Sequence, residues 1–131
     1  MIGALTGTVQ ESGLDGILLD VHGVGYRLAV LPSLAGTATA GAPLSLHTYL
    51  HVREDDLSLY GFAEKAELTL FRMLLGVPGG GPKSAMSILA IAHVEVLVRA
   101  ISSGEASLLT KVSGVGRKTA ERIVVELKTR L

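Results

Sequence analysis

The chain has 131 residues, 48% of them hydrophobic, with no cysteine and with 12 basic residues against 12 acidic ones. That length and apolar content can bury one core or two small ones, and the lack of cysteine excludes a disulfide framework, thiolate metal sites and thiol redox chemistry. The formal charge of zero argues against a uniformly basic nucleic-acid binder, but it hides an asymmetry: residues 1–62 hold two basic and six acidic side chains, a net −4, and residues 63–131 hold ten and six, a net +4.

The first half reads as strands. The opening Met1-Ile-Gly-Ala has neither the basic region nor the apolar run of a secretory signal. No stretch reaches the ~18 apolar residues needed to cross a bilayer, so a soluble cytoplasmic protein is expected. Alternation with a period near two, as in Gly16-Ile-Leu-Leu-Asp-Val-His and Leu44-Ser-Leu-His-Thr-Tyr-Leu-His-Val, predicts strands over 1–10, 15–22, 25–31, 44–52 and 57–62. Gly23-Val24-Gly25 reads as a tight hairpin connection. Five short antiparallel strands in some sixty residues suit a small closed barrel such as an OB-fold.

After Tyr60-Gly61-Phe62 the period becomes helical, which places a domain boundary between residues 62 and 63. Helices are predicted over 64–75, 82–91, 94–102, 105–111 and 117–130, with Gly76, Gly104 and Gly114 at stops. The expected fold class is therefore α+β: a five-stranded OB-fold barrel (1–62) followed by an all-α domain (63–131). Leu68, Phe71, Met73, Leu74 and Leu75 are helical core candidates, or apolar surface used between subunits.

The strongest signal is an internal repeat. Val77-Pro-Gly-Gly-Gly-Pro-Lys-Ser-Ala-Met-Ser-Ile-Leu89 lies over Val112-Ser-Gly-Val-Gly-Arg-Lys-Thr-Ala-Glu-Arg-Ile-Val124 at an offset of 35 residues. Each copy reads as helix, Gly-x-Gly hairpin and second helix: the helix-hairpin-helix pattern. Glycine permits the turn and leaves no Cβ to block a phosphate, and amides at the new helix start point toward an anion that the helix dipole favours. Lys83, Arg117 and Lys118 stand in first turns, where a cation opposes the dipole by roughly 0.3–1 kcal/mol. A rule broken at equivalent places in both copies suggests a site that expects an anion. One isolated Gly-Val-Gly would merely connect consecutive helices; two copies with matching cations favour phosphate binding. Gly76 to Ser84 nearly fits a nucleotide-binding P-loop, but Pro82 intervenes before Lys83 and no strand precedes it.

These residues, with Met1-Ile-Gly, Gly23-Val-Gly-Tyr26, Val52-Arg-Glu-Asp55, Leu59-Tyr-Gly-Phe62, Gly81-Pro-Lys83 and Gly114-Val-Gly-Arg-Lys-Thr-Ala-Glu-Arg122, resemble the RuvA family over essentially the whole chain. The resemblance implies a non-catalytic subunit, without cofactor or metal, that binds four-way junction DNA irrespective of sequence and serves branch migration in recombination and repair, including the SOS response to DNA damage. It implies a bacterial, nucleoid-associated location, a homotetramer or an octamer of two tetramers, and the hexameric RuvB ATPase and the RuvC resolvase as partners. RuvB would be engaged through a third domain beyond a flexible linker, whereas this sequence stops at Leu131 with the second domain. Carried over by residue, the DNA-backbone contacts fall on Gly79, Gly80, Gly81, Lys83 and Ser84, on Gly114, Val115, Gly116, Arg117, Lys118 and Thr119, and on Arg122. Glu54 and Asp55 match the family's acidic pin near the junction centre; without the resemblance, Glu54-Asp55-Asp56 reads as a solvated turn. Gly80 departs from the pattern, which has an apolar residue there, as the second copy does at Val115.

Other readings stay open at this point. A DNA-binding module of a ligase or nuclease would also carry helix-hairpin-helix pairs, as would a duplex-binding architectural protein without junction preference. His47 and His51 lie four apart on a strand, which separates them by ~13 Å and makes a metal pair a poor reading. His22 and His93 have no triad partners in view.

Overall fold

The computed structural model describes residues 1–14 and 16–131. The chain divides into two compact units, Met1–Leu68 and Thr69–Leu131.

In the first unit, β1 (Ala4–Ser12), β2 (Gly16–Val21), β3 (Val24–Val30), β4 (Pro43–Arg53) and β5 (Asp56–Phe62) form a closed barrel in the order β1-β2-β3-β5-β4. The period-two alternation sends one side of β1 to β4 inward, and Val9, Ile17, Leu19, Leu28, Val30 and Leu46 make the core, with Leu59 of β5 packed partly buried against it. The expected start of the second strand at Asp15 lies outside the described residues. The all-antiparallel expectation is corrected at the closing seam. There β3 and β5 run parallel, with Leu28 beside Leu59, Ala29 beside Tyr60 and Val30 beside Gly61.

Two further corrections concern connections. A short helix, α1 (Pro32–Thr37), follows β3 and contributes Ala35 to the barrel core, while the Ser12 hydroxyl donates to the Ala35 carbonyl at 2.8 Å. Less than two turns long, it shows no resolvable periodicity, although Leu31, Leu34 and Ala35 have helical spacing and Pro32 occupies a favoured first position. The β2–β3 turn is His22-Gly23, with φ of 50° and 90°, and Val24 and Gly25 already pair with Val21 and Asp20. Two consecutive left-handed residues make a type I′ hairpin that matches the strand twist. The Gly23 amide donates to Asp20 Oδ1 at 3.0 Å, and His is among the residues that enter this region.

The second unit is helical. After α2 (Lys65–Leu75), whose sequence crosses the division between the units, come α3 (Pro82–Ala90), α4 (Val94–Ser102), a 3-10 turn (Leu109–Lys111) and α5 (Arg117–Leu127). Buried residues recur at helical spacing: Leu70, Phe71 and Leu74; Ala85, Ile88 and Leu89; Val94, Leu97 and Ile101; Ala120, Ile123, Val124 and Leu127. Of the core candidates, Phe71 and Leu74 are fully buried, while Leu68, Met73 and Leu75 are half-buried. The helix expected over 105–111 shrinks to the 3-10 turn. Gly104, at φ 82°, ends α4 in a Schellman motif, its amide donating to Ile101 and that of Glu105 to Ala100. The following segment has one fully buried anchor, Leu109, which is too little burial to offset helix nucleation. Among the described residues no single helix is long and apolar enough to cross a membrane.

Candidate nucleic-acid interface

The sequence repeat is a repeat of backbone path. Gly79 and Gly114 have φ of 90° and 87°. Before them, Val77 donates to the Leu74 carbonyl at 3.2 Å, and Val112 to that of Leu109 at 3.1 Å. Across each hairpin, Gly80 donates to Val77 at 3.3 Å, and Val115 to Val112 at 3.0 Å. The new helices open with Ala85 donating to Gly81 at 3.0 Å and Ala120 to Gly116 at 2.9 Å. Each pair of bonds is related by the same 35-residue offset, so the two loops deliver two helix starts in one local geometry.

How those starts are finished separates them from their neighbours. At α2 the Glu67 carboxylate accepts from the Glu64 amide at 3.1 Å, and at α4 His93 Nδ1 accepts from the Glu95 amide at 3.2 Å; both helices also carry an acid in the first turn. Helices α3 and α5 have glycine as N-cap, with no side-chain cap bond and no acid in the first turn. The amides of Lys83 and Ser84, and of Arg117, Lys118 and Thr119, therefore have no intrahelical acceptor. Six-residue α1 also lacks a side-chain cap, but has no cation in its first turn.

The side chains at the two starts are unequal in number. Lys83, Arg117, Lys118 and Arg122 are exposed, and Ser84 and Thr119 are half-buried. Arg122 follows Lys118 by four residues and so lies one turn along the same face of α5. Arg117 Nε sits 3.7 Å from Glu121 Oε1, and Arg122 Nε 3.7 Å from Glu126 Oε1. These carboxylates escaped the sequence reading, although their i,i+4 spacing was visible there; so did the capping role of His93, two residues before Glu95. Gly79, Gly114 and Gly116 are exposed, Gly80 and Gly81 half-buried. Val115 is only 5% exposed, so its side chain belongs to the core and its backbone alone can face a ligand.

In the barrel unit, Glu54 and Asp55 form the exposed two-residue tip between β4 and β5, above the Arg53–Asp56 and Val52–Leu57 cross-strand pairs. Val52 and Leu57 are also largely exposed, so the hairpin end stands clear of the barrel core. His47 and His51 are half-buried on β4, the His51 ring lying 6.0 Å from that of Tyr49. Among the described residues, no group of three or more His, Cys, Asp or Glu side chains could hold a metal ion.

Comparison with known proteins matches both units. Residues 1–61 match the family model described as the RuvA N terminal domain, and residues 71–129 the SAM-like helix-hairpin-helix tandem. The chain is similar to the Holliday junction branch migration complex subunit RuvA of Pseudomonas fluorescens (strain Pf0-1), with 49% identity over 131 residues covering 99% of this chain and 65% of the relative. The same-named proteins of Pseudomonas aeruginosa (strain LESB58) and Pseudomonas entomophila (strain L48) are each 48% identical over 99% of this chain, covering 65% and 64% of their own lengths. The chain thus spans about 65% of the length of the curated relatives it matches.

Proposed function

The chain belongs to the RuvA family, and on that premise we propose that it is a non-catalytic subunit that binds four-way (Holliday) junction DNA through the phosphates and holds it for branch migration. One observation carries the phosphate reading. The two helices that follow Gly-x-Gly hairpins leave their first amides free and have cations but no acid in the first turn, whereas α2 and α4 each carry an acid there and α4 also caps its Glu95 amide with His93.

The chemistry is that of an anion clamp used twice. A phosphate oxygen at either start accepts from two or three amides and meets the positive end of a helix dipole, and Lys83 or Arg117 and Lys118 neutralise its charge. Arg122 would extend the second contact along the strand. None of these donors reads a base edge, so the binding is indifferent to sequence and strongly dependent on salt. Preference for a junction has to come from arrangement. A four-armed ligand presents equivalent phosphates to equivalent subunits, which favours a homotetramer, or two tetramers facing each other across the DNA. Glu54 and Asp55 act in this reading as the acidic pin, repelling a duplex that would otherwise run continuously through the centre. The relatives' name, a branch migration complex subunit, supports a motor partner, the RuvB ATPase, in the same assembly, with RuvC as a further partner at the junction. Such an assembly acts on bacterial chromosomal DNA in the cytoplasm, in recombination, repair and the SOS response.

A gel-shift comparison of a four-way junction with linear duplex of equal length, at several salt concentrations, tests this reading. Junction binding at least tenfold tighter than duplex binding, weakening steeply with salt, is expected. Equal affinity for both would reduce the protein to a general duplex binder, and salt-independent binding would exclude the phosphate clamps.

A further inference from the structure

The two hairpins share a backbone path but differ beneath it. Val115 fills the underside of the second hairpin and is 5% exposed; at the equivalent point of the first hairpin stands Gly80, with no side chain. A cavity of about 10 Å³ lies between the two hairpins, lined on the first by Leu74, Val77, Gly80 and Ala85 and on the second by Val115 and Ile123, so the side chain missing at Gly80 leaves space that Val115 fills only from its own side. It has room for about one water and lies mostly against apolar groups, so the surrounding atoms lose contacts that no solvent replaces. The cross-hairpin bond is also longer at Gly80, 3.3 Å against 3.0 Å at Val115. Nothing in the backbone forces glycine at this position. Gly80 is outside the left-handed region, and a Cβ built on it would meet the Leu74 and Val77 carbonyl oxygens at 3.6 Å, ordinary van der Waals contact.

We propose that Gly80 is a positioning residue that, by leaving this cavity unfilled, makes the first hairpin the looser of the two phosphate clamps. The inference rests on the phosphate reading above and deepens it. A clamp that samples several conformations when free binds with an affinity reduced by the fraction of time its amides are aligned. The first clamp is also the poorer in donors, since Pro82 stands where the second has the Arg117 amide and guanidinium. Looseness and donor count thus weaken the same clamp, leaving the second hairpin as the firm contact and the first as the adjustable one.

The test compares the intact chain with Gly80→Ala, Gly80→Val and Val115→Gly, by amide hydrogen exchange and by binding to a four-way junction at fixed salt. Gly80→Val should slow exchange across Gly79–Ser84 about 5- to 30-fold relative to the rest of the protein, the range expected for a modest gain in local stability. Junction affinity should rise about two- to fivefold with the salt slope unchanged, because alignment improves while the number of phosphates contacted stays the same. Gly80→Ala should fall between glycine and valine, and it keeps the test open should valine overpack the site. Val115→Gly should speed exchange in the second hairpin and weaken binding. Exchange that does not slow in either Gly80 variant overturns the proposal, as does exchange that slows while affinity stays fixed, which would leave Gly80 with a purely structural role. Failure of the unmodified chain to bind junction or duplex would instead sink the phosphate reading itself, and the exchange data would still decide whether Gly80 loosens the hairpin.

Discussion

Gly79 and Gly114, 35 residues apart in sequence, hold the same left-handed backbone, with φ of 90° and 87°. No atom lies within 4 Å of a Cβ built on either, so only the dihedral demands glycine. An L-residue in this region costs roughly 1–2 kcal/mol, and asparagine tolerates it better than alanine. Gly114→Ala should therefore destabilise the protein by about 1 kcal/mol and weaken junction binding, with Gly114→Asn losing less of both. Denaturant titration beside a binding titration measures the two effects. An alanine variant as stable as the parent would show that the hairpin can be reached by another path.

Lys118 is exposed in the first turn of α5, where no acid compensates it. If it neutralises one phosphate, Lys118→Ala should lower the slope of log affinity against log salt by about 0.9 per bound subunit. Its effect should be the same on junctions of scrambled sequence. A slope that does not move would remove Lys118 from the contact.

Arg117 is held 3.7 Å from Glu121 on the exposed face of α5. An exposed pair of this kind is worth about 0–1 kcal/mol, and the basic-before-acidic order is the weaker orientation on a helix. In the phosphate reading Glu121 competes for the guanidinium and adds a repelling charge nearby. Glu121→Gln should tighten junction binding by up to about fivefold at low salt, fading as salt rises, with folding stability changed by less than about 0.5 kcal/mol. Weaker binding by this variant would mean that Glu121 orients Arg117 instead of competing for it.

The Tyr60 phenol is held above its ordinary value near 10, chiefly by burial, with Asp56 adding to the rise and Arg53 opposing it. The folded state keeps this proton more tightly than the unfolded chain does. Its contribution is thus fully present below pH 10 and is lost as the pH climbs through the raised folded value. Chemical denaturation of the parent should show stability falling above pH 10 more steeply than that of Tyr60→Phe. Parallel curves for the two proteins would remove Tyr60 as the cause.

Much of this arrangement is legible in the sequence, and the misses have physical causes. The 35-residue repeat exposes both hairpins because glycine positions and cations recur together, a coincidence that core packing alone does not require. Strand alternation reveals the barrel, but not the parallel β3–β5 seam, since period two reports which side of a strand is buried and not which neighbour it meets. The α1 helix is too short to establish a period. The segment around Leu108 and Leu109 carries apolar residues at helical spacing, yet the Schellman turn at Gly104 and a single deep anchor leave only a 3-10 turn. The cavity under Gly80 follows from a side chain missing relative to Val115, a difference the aligned repeat shows but whose volume only packing reveals.

Glu54 and Asp55 occupy the exposed tip of the β4–β5 hairpin, where their charge meets whatever approaches the barrel at that end. In the acidic-pin reading this charge selects among DNA shapes by disfavouring the wrong one: a continuous duplex brings phosphates up to the tip, whereas a four-way junction opens and avoids them. With a Debye length of about 8 Å at physiological salt, only nearby phosphates feel the repulsion, and its reach grows as salt is lowered. Glu54→Gln combined with Asp55→Asn should therefore strengthen linear-duplex binding more than junction binding and narrow the preference between them. Folding stability should move by less than about 0.5 kcal/mol, since both residues are exposed, and that separates an effect on recognition from one on the fold. Competition between labelled junction and unlabelled duplex at about 20 to 50 mM salt, where screening is weaker than at physiological ionic strength, gives the ratio directly. Undiminished junction preference in the double variant at low salt would show that the tip is a solvated turn, and discrimination would then have to arise from subunit arrangement alone.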